Sequence, residues 1–169
     1  MRTKGGFMKL SELENFNFSE KIGKGALLTA TKQNGEINTM TVSWGTAGVL
    51  WNKDVVTVFV RPGRYTYGFC EDGDTLTLSF FGEERRDTLA YCGTKTGRDV
   101  DKFAVCDLKY ELKNGACVFE DAKTTFVLKK LYAEDLKSEC FFDKSPLINY
   151  KNGDFHRAYT CEIIDVITK

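Results

Sequence analysis

Polar and apolar residues alternate along much of the chain with a period of two, which is typical of β-strands. Thr75–Phe80 is the clearest example, because its order Thr-Leu-Thr-Leu-Ser-Phe predicts a strand with one buried face. Residues 55–60 are almost continuously apolar, which predicts a strand buried on both faces. Runs rich in β-branched and aromatic residues predict further strands at 26–32, 36–44, 110–113, 116–120, 124–133 and 158–167.

The connections between these strands are short. Asn34-Gly35 and Asn114-Gly115 each lie between two predicted strands, and Asn-Gly is a strong signal for a tight hairpin turn. Helices are predicted only as short pieces, at residues 17–22, 65–70, 83–92 and around 102–103. Because no long amphipathic helices alternate with the strands, the pattern predicts a mainly β fold, a closed or nearly closed antiparallel barrel with short helices.

Composition narrows the class of protein. With 169 residues, 42% of them hydrophobic, the chain suits one domain spanning residues 1–169. Its 24 basic and 24 acidic residues balance, which argues against nucleic acid or membrane as a partner and makes any anion site local. Six cysteines without a Cys-x-x-Cys pair, and a single histidine, make a metal site improbable. We interpret them as free thiols of a cytoplasmic protein.

The first candidate site is residues 61–66, Arg-Pro-Gly-Arg-Tyr-Thr, directly after the apolar strand. Pro62 and Gly63 turn the chain, and the next residues open a helix whose free N–H groups can bind an anion. Arg61, Arg64 and Thr66 would then form a phosphate cradle. An ordinary strand-to-helix turn with solvated arginines is the alternative.

Three further features are candidates. Residues 38–48 combine glycines with hydrogen-bonding side chains, which suits a flat ligand or, alternatively, a strand that ends in a glycine-rich turn. Residues 91–103 form a polar loop with three cations, which could close over an anion or lie solvated at the surface. His156 can transfer a proton near neutral pH, but no catalytic triad or carboxylate pair accompanies it. Hydrolytic chemistry is therefore weakly supported.

Four of these segments together carry a resemblance: residues 38–45 (Asn-Thr-Met-Thr-Val-Ser-Trp-Gly), 61–66, 79–81 (Ser-Phe-Phe) and 91–99 followed by Lys102. From about residue 26 to its end, the chain resembles the flavin reductase-like family of FMN-binding split-barrel proteins, which includes flavoredoxins. The resemblance implies a six-stranded antiparallel split β-barrel, a homodimer, and FMN bound near the subunit interface. One departure is Cys161, which stands where the family commonly has glycine.

The resemblance also implies a site, residue by residue. Arg61, Arg64 and Thr66 would hold the phosphate, with Tyr65 alongside. Residues lining the flavin ring and ribityl chain would be Asn38, Met40, Thr41, Ser43, Trp44 and Gly45, with Ser79, Phe80 and Phe81 beside the ring. Residues near the cofactor or the nicotinamide entrance would be Lys95, Arg98 and Lys102. His156 falls where members of the family often have a histidine that faces the active site.

Three functions follow as hypotheses. The leading one is an FMN-binding oxidoreductase, an NAD(P)H-dependent flavin reductase, in which the flavin carries the covalent chemistry and the protein supplies position and electrostatics. The second is an electron-transfer flavoprotein of the flavoredoxin type, which works with protein partners. The third is a barrel that binds another phosphorylated ligand and has no redox role.

Overall fold

The computed structural model describes residues 8–169 and confirms a mainly antiparallel β fold with short helices. The strands are β1 Ala26–Thr31, β2 Ile37–Val42, β3 Gly45–Leu50, β4 Lys53–Val60, β5 Thr75–Phe80, β6 Tyr110–Lys113, β7 Ala116–Phe119, β8 Thr124–Asp135 and β9 Arg157–Thr168. The α-helices are α1 Phe18–Lys24, α2 Tyr65–Asp72, α3 Arg86–Thr94 and α4 Lys102–Val105. No helix among these residues is long and apolar enough to cross a membrane.

The main sheet is curled by a very short connection. It has seven strands in the order β2-β1-β5-β8-β9-β4-β3, so its two edges are strands that follow one another in the chain. Laid flat, seven strands would hold these edges roughly 29 Å apart. Only Ser43 and Trp44 join them, and three Cα–Cα steps span at most about 11 Å. The sheet must therefore curl into a barrel, which stays split because β2 and β3 share no hydrogen-bond ladder in residues 8–169.

The strand β3 corrects two expectations. The prediction of one strand over residues 36–44 is wrong at its end, because β2 stops at Val42 and the glycine-rich segment after Trp44 is a strand of its own. The main sheet consequently has seven strands rather than the six that the resemblance implies. The hydrophobic pattern does not predict β3, because this edge strand consists mostly of small residues. Its turn to β4 is made by Trp51 and Asn52 in the left-handed region, without a glycine.

Two hydrophobic clusters lie on opposite faces of the barrel wall. Alternate residues of β1, β4 and β5 fill the interior, where Phe16 and Phe18 pack against Phe80 and Phe126. The outer face of β1 and β5 is covered by α3, α4 and the β6–β7 hairpin, through a cluster that includes Leu27 and Phe119. Thr75–Phe80 is therefore almost entirely buried on both faces, so the expectation of one exposed face is wrong.

Five of the six cysteines pack in or against these clusters, and Cys140 is exposed. All six are free, and Cys70, Cys92, Cys117 and Cys161 are buried, in agreement with the interpretation as packed thiols. Burial raises the pKa of the Cys70 thiol to about 12, so this sulfur stays protonated and unreactive at neutral pH. Cys161, in the position where the family commonly has glycine, is accommodated in the barrel interior opposite Val56.

The segment between β8 and β9 is anchored to the barrel by a polar cluster. Arg61 forms an ion pair with Asp154 and donates a hydrogen bond to the carbonyl oxygen of Asn149 at 2.9 Å. Tyr150 Oη and His156 Nδ1 are hydrogen-bonded at 2.8 Å. Burial, followed by the nearby charge of Arg61, lowers the pKa of His156 to about 4, so its imidazole is neutral at pH 7.

Gly45 and Gly48 provide a matched test of how tightly the barrel seam is packed. A Cβ at Gly45 would lie 3.1 Å from the backbone oxygen of Thr57 and 3.5 Å from Ile22 and Phe18 of α1, whereas one at Gly48 would meet nothing. We expect Gly45→Ala to lower the free energy of unfolding by about 1–3 kcal/mol. Gly48→Ala should leave it unchanged or raise it by about 0.5 kcal/mol. Equal effects in urea unfolding would contradict this packing.

The buried imidazole predicts a pH dependence of stability. Because the pKa of His156 is about 4 in the folded chain and 6.5 in a solvated one, the unfolded chain binds more protons between these values. The free energy of unfolding should therefore fall as the pH drops through this range, by on the order of 1–3 kcal/mol from this group. His156→Gln removes the titration, so urea unfolding at pH 5 and pH 7.5 should differ less for the variant than for the unaltered chain. The same pH dependence in both would contradict the assignment.

Candidate functional site

A cleft opens where β4 is followed by α2. After Val60 the chain turns at Pro62 and Gly63, and α2 starts at Tyr65. The end of α3 and the loop after it form the opposite wall. The cleft has a volume of about 280 Å³ and is lined by Gly63, Arg64, Tyr65, Thr66, Thr94, Lys95, Thr96, Arg98 and Lys102. Two segments far apart in sequence, both among the predicted candidates, thus meet at one site.

Lys102 is the unusual group in this cleft. Its side chain is buried, and its ammonium donates to the backbone oxygens of Thr39 at 2.8 Å and Cys92 at 3.0 Å. No carboxylate of residues 8–169 pairs with it, and burial lowers its pKa. An ammonium has three N–H donors, so one remains for another partner. A buried, uncompensated cation is costly, and an anion bound beside it would offset that cost.

Three more cations surround Lys102. Arg64 donates from Nη2 to the backbone oxygen of Gly93 at 2.9 Å, and burial lowers its pKa. Arg98 lies over the ring of Tyr65, 5.1 Å from its centroid, and Lys95 lines the same cleft. None of these three has an ion-pair partner in the described chain. The cleft therefore concentrates positive charge that the protein itself leaves unpaired.

The start of α2 adds backbone donors to these side chains. Arg64 occupies the N-cap position but makes no capping hydrogen bond with its side chain. The first N–H groups of a helix have no intrahelical acceptor, and they attract anions. The cleft consequently has the composition of a phosphate site: cationic side chains, the hydroxyl of Thr66 and free N–H groups.

Asn38 ties the elements of the cleft together. It lies on β2, is buried, and donates from Nδ2 to Thr66 Oγ1 at 2.8 Å. A Cβ at Gly97 would lie 2.2 Å from Asn38 Oδ1 and 3.0 Å from the ring of Tyr65. Only glycine at this position lets the loop approach Asn38 and Tyr65 so closely. The sequence does not predict this contact, because it shows Gly97 only as one glycine of a polar loop.

Arg61, Trp44 and His156 form a separate group. The sequence places Arg61 with Arg64 and Thr66, but the structure directs it toward the β8–β9 segment, where it pairs with Asp154. Trp44 is half exposed, and its ring centroid lies 5.3 Å from that of His156. This group is next to the seam of the barrel, because Trp44 belongs to the two-residue connection between β2 and β3.

The remaining predicted residues do not line the cleft. Met40 and Phe80 are in the barrel interior, and Phe81 packs against the outer cluster. Ser79 is buried and hydrogen-bonded to Thr125 at 3.1 Å. Thr41 donates to the backbone oxygen of Leu89 at 2.6 Å, which holds α3 against β2. Ser43 and Gly45 flank Trp44 at the seam.

Comparison with known proteins agrees with this architecture. An FMN-binding protein from Thermus thermophilus, solved with bound p-hydroxybenzaldehyde, superposes with a TM-score of 0.68 at 18% identity, over 100% of this chain and 82% of that one. Flavoredoxin of Desulfovibrio vulgaris (Miyazaki F) superposes with a TM-score of 0.67 at 18% identity, over 86% of this chain and 69% of that one. The styrene monooxygenase flavin reductase of Pseudomonas putida S12 superposes with a TM-score of 0.62 at 17% identity, over 85% of this chain and 78% of that one.

At such low identities these structural similarities show a shared split-barrel fold alone. Sequence comparison identifies the family. No curated protein sequence matches the chain. Residues 20–131 match the family described as flavin reductase like domain, and this match covers more than half of the chain. The chain therefore belongs to the flavin reductase-like domain family.

Proposed function

We propose that the chain binds FMN with its phosphate in the cleft at the start of α2, and that it is an NAD(P)H-dependent flavin reductase. The observation that carries the proposal is Lys102, a buried cation that two carbonyl oxygens hold and that no carboxylate of the described residues neutralises. Family membership makes a flavin the expected ligand. The phosphate is the part of FMN whose charge complements this cleft.

The cleft fits one end of such a ligand. At about 280 Å³ it is smaller than the roughly 300–1,000 Å³ of typical ligand pockets, so we assign it the phosphate end alone. Arg64, Arg98 and Lys102 would hold the phosphate, with Lys95, Tyr65 and Thr66 around it. Ser43 and Trp44, which are exposed at the seam, would lie beside the ring, with Gly45 next to them in the chain.

The protein's part in the reaction would be positioning and electrostatics. When bound, the flavin supplies the chemistry that accepts a hydride and passes electrons on. The cationic cleft would fix one end of the ligand and so orient the rest against the seam. Trp44 would exclude water on one side, and the neutral imidazole of His156 could donate or accept a hydrogen bond there without adding charge.

An electron carrier of the flavoredoxin type is the second candidate. Trp44 is 48% exposed at the seam, so a ring beside it would be open to a protein partner as well as to a nicotinamide. We also propose a homodimer, supported by exposed apolar side chains at the β3–β4 turn, among them Val49 and Trp51.

Phosphate recognition can be tested by comparing FMN with riboflavin, which lacks the phosphate. We expect the unaltered chain to bind FMN at least tenfold more tightly than riboflavin. Arg98→Ala should weaken FMN binding roughly 10- to 150-fold, because it removes a charge-assisted contact worth about 1.5–3 kcal/mol, and should leave riboflavin binding unchanged. Arg86→Ala is the matched control, since Arg86 is an exposed arginine on α3 outside the cleft. Equal affinities for FMN and riboflavin would contradict a phosphate site.

The electron donor is identified by following the visible spectrum of the FMN-loaded protein under anaerobic stopped-flow conditions. A flavin reductase should lose its oxidised flavin absorption when NADH or NADPH is added, and should turn over when oxygen or free FMN is supplied. Bleaching by a low-potential donor but not by either nicotinamide would instead favour the carrier. A protein that binds no flavin at micromolar FMN would contradict both and favour the non-redox barrel.

A further inference from the structure

The barrel seam holds a buried hydrogen-bonded pair whose effect on a ligand depends on where one proton lies. Tyr150 Oη and His156 Nδ1 are 2.8 Å apart, and each residue is only 9% exposed. The imidazole centroid lies 5.3 Å from the ring of Trp44 and 6.5 Å from that of Phe59 on β4. The imidazole therefore packs among aromatic side chains, next to the half-exposed indole proposed to border the flavin ring.

The phenol of Tyr150 is held in place from several sides. Its ring stacks on that of Phe155, with centroids 4.6 Å apart and planes 19° from parallel. The guanidinium of Arg61 lies over the same ring, 5.3 Å from its centroid. Arg61 is itself fixed by the ion pair with Asp154 and by the carbonyl oxygen of Asn149. The hydroxyl of this tyrosine consequently has a defined position relative to the imidazole.

The hydroxyl is the donor in this pair. Burial raises the pKa of Tyr150 and lowers that of His156 to about 4, so both groups are neutral at pH 7. If Nδ1 carried the imidazole proton, the hydroxyl proton of the buried tyrosine would have no acceptor among residues 8–169. When the hydroxyl donates, its proton and the lone pair of Nδ1 satisfy each other. The proton of the neutral imidazole is then on Nε2.

The second nitrogen of the imidazole is available to a ligand. No hydrogen bond among the described residues uses His156 Nε2. Three other side-chain atoms of these residues are buried without a partner, and Nε2 is not one of them, so it keeps some accessible surface. Because the two ring nitrogens face different directions, the N–H at Nε2 points away from Tyr150. It is a free donor in a ring that contacts Trp44.

We propose that Tyr150 is a positioning residue, which holds His156 in the tautomer with its proton on Nε2 and so presents a hydrogen-bond donor to the ligand at the seam. Such a donor recognises an acceptor atom, a carbonyl oxygen or an unprotonated ring nitrogen on the edge of a flavin ring. It adds no charge to the ring's surroundings. Since Nε2 then has no lone pair for a proton, His156 does not act as a general base through this atom.

Only part of this inference rests on the proposed function. The tautomer and its dependence on Tyr150 belong to the protein alone. The donor role requires that the flavin ring lies at the seam, as proposed above. The two parts are therefore measured separately, first in the ligand-free chain and then with FMN.

The tautomer can be observed directly because His156 is the only histidine of the chain. In protein labelled with ¹⁵N-histidine, long-range ¹H–¹⁵N spectra at pH 7 should show a protonated Nε2 and an unprotonated, hydrogen-bonded Nδ1. Tyr150→Phe keeps the ring and removes the hydroxyl, so the Nδ1 resonance should move to that of a nitrogen without a hydrogen bond, and the other tautomer should appear. Tyr132→Phe is the matched control, because its hydroxyl donates to Glu134 instead, and both shifts should stay unchanged. A protonated Nδ1 in the unaltered chain, or shifts that Tyr150→Phe leaves unchanged, would overturn the inference.

Titration of FMN into the labelled protein tests the donor role. Binding should shift the Nε2 resonance and its proton and leave Nδ1 unprotonated. Tyr150→Phe should reduce this response and change FMN affinity less than threefold, since Tyr150 lies outside the phosphate cleft. If FMN binds without shifting Nε2, the donor role is overturned and the proposed function stands. If FMN does not bind, the proposed function fails together with the donor role, and the spectra of the ligand-free chain still decide whether Tyr150 fixes the tautomer.

Discussion

The two-residue connection between β2 and β3 determines the shape of this protein. Because Ser43 and Trp44 join the opposite edges of a seven-stranded sheet, so short a connection forces the sheet to curl until those edges lie close together. The edges meet without a ladder, so β2 keeps a free side on which its carbonyl groups need other donors. Lys102 supplies one, at Thr39. The ammonium at the centre of the candidate site therefore also stabilises the open edge of the barrel.

Much of this fold can be predicted from the sequence because its signals are local. The Asn-Gly turns adopt left-handed conformations at Gly35 and Gly115, and the alternating and apolar runs are strands. What cannot be predicted depends on distant parts of the chain. β3 has little hydrophobic pattern of its own and becomes a strand by pairing with β4. Thr75–Phe80 has a polar face that the β6–β7 hairpin covers. The sequence of the strand itself does not predict that this face is buried.

The candidate site divides in the same way. Residues 61–66 and 91–103 are recognisable as turns rich in cations and glycine, and the structure brings parts of both to one cleft. Arg61 separates from Arg64 because Pro62 and Gly63 reverse the chain between them, so neighbours in sequence face different surroundings. The burial of Lys102 also lacks a local signal, since it arises where α4 packs against β2 and α3.

A chain with no net charge can still bind an anion if its ion pairs are segregated from the site. The carboxylates that neutralise lysines and arginines elsewhere, such as Glu162 with Lys53 and Asp135 with Arg157, lie outside the cleft, and within residues 8–169 none pairs with the four cleft cations. Their mutual repulsion and the desolvation of Lys102 oppose folding in the absence of a ligand. A phosphate bound there, as we propose, would offset both costs at once. Ligand affinity and folding stability would then be coupled through Lys102, because an anion that binds only the folded chain raises the free energy of unfolding.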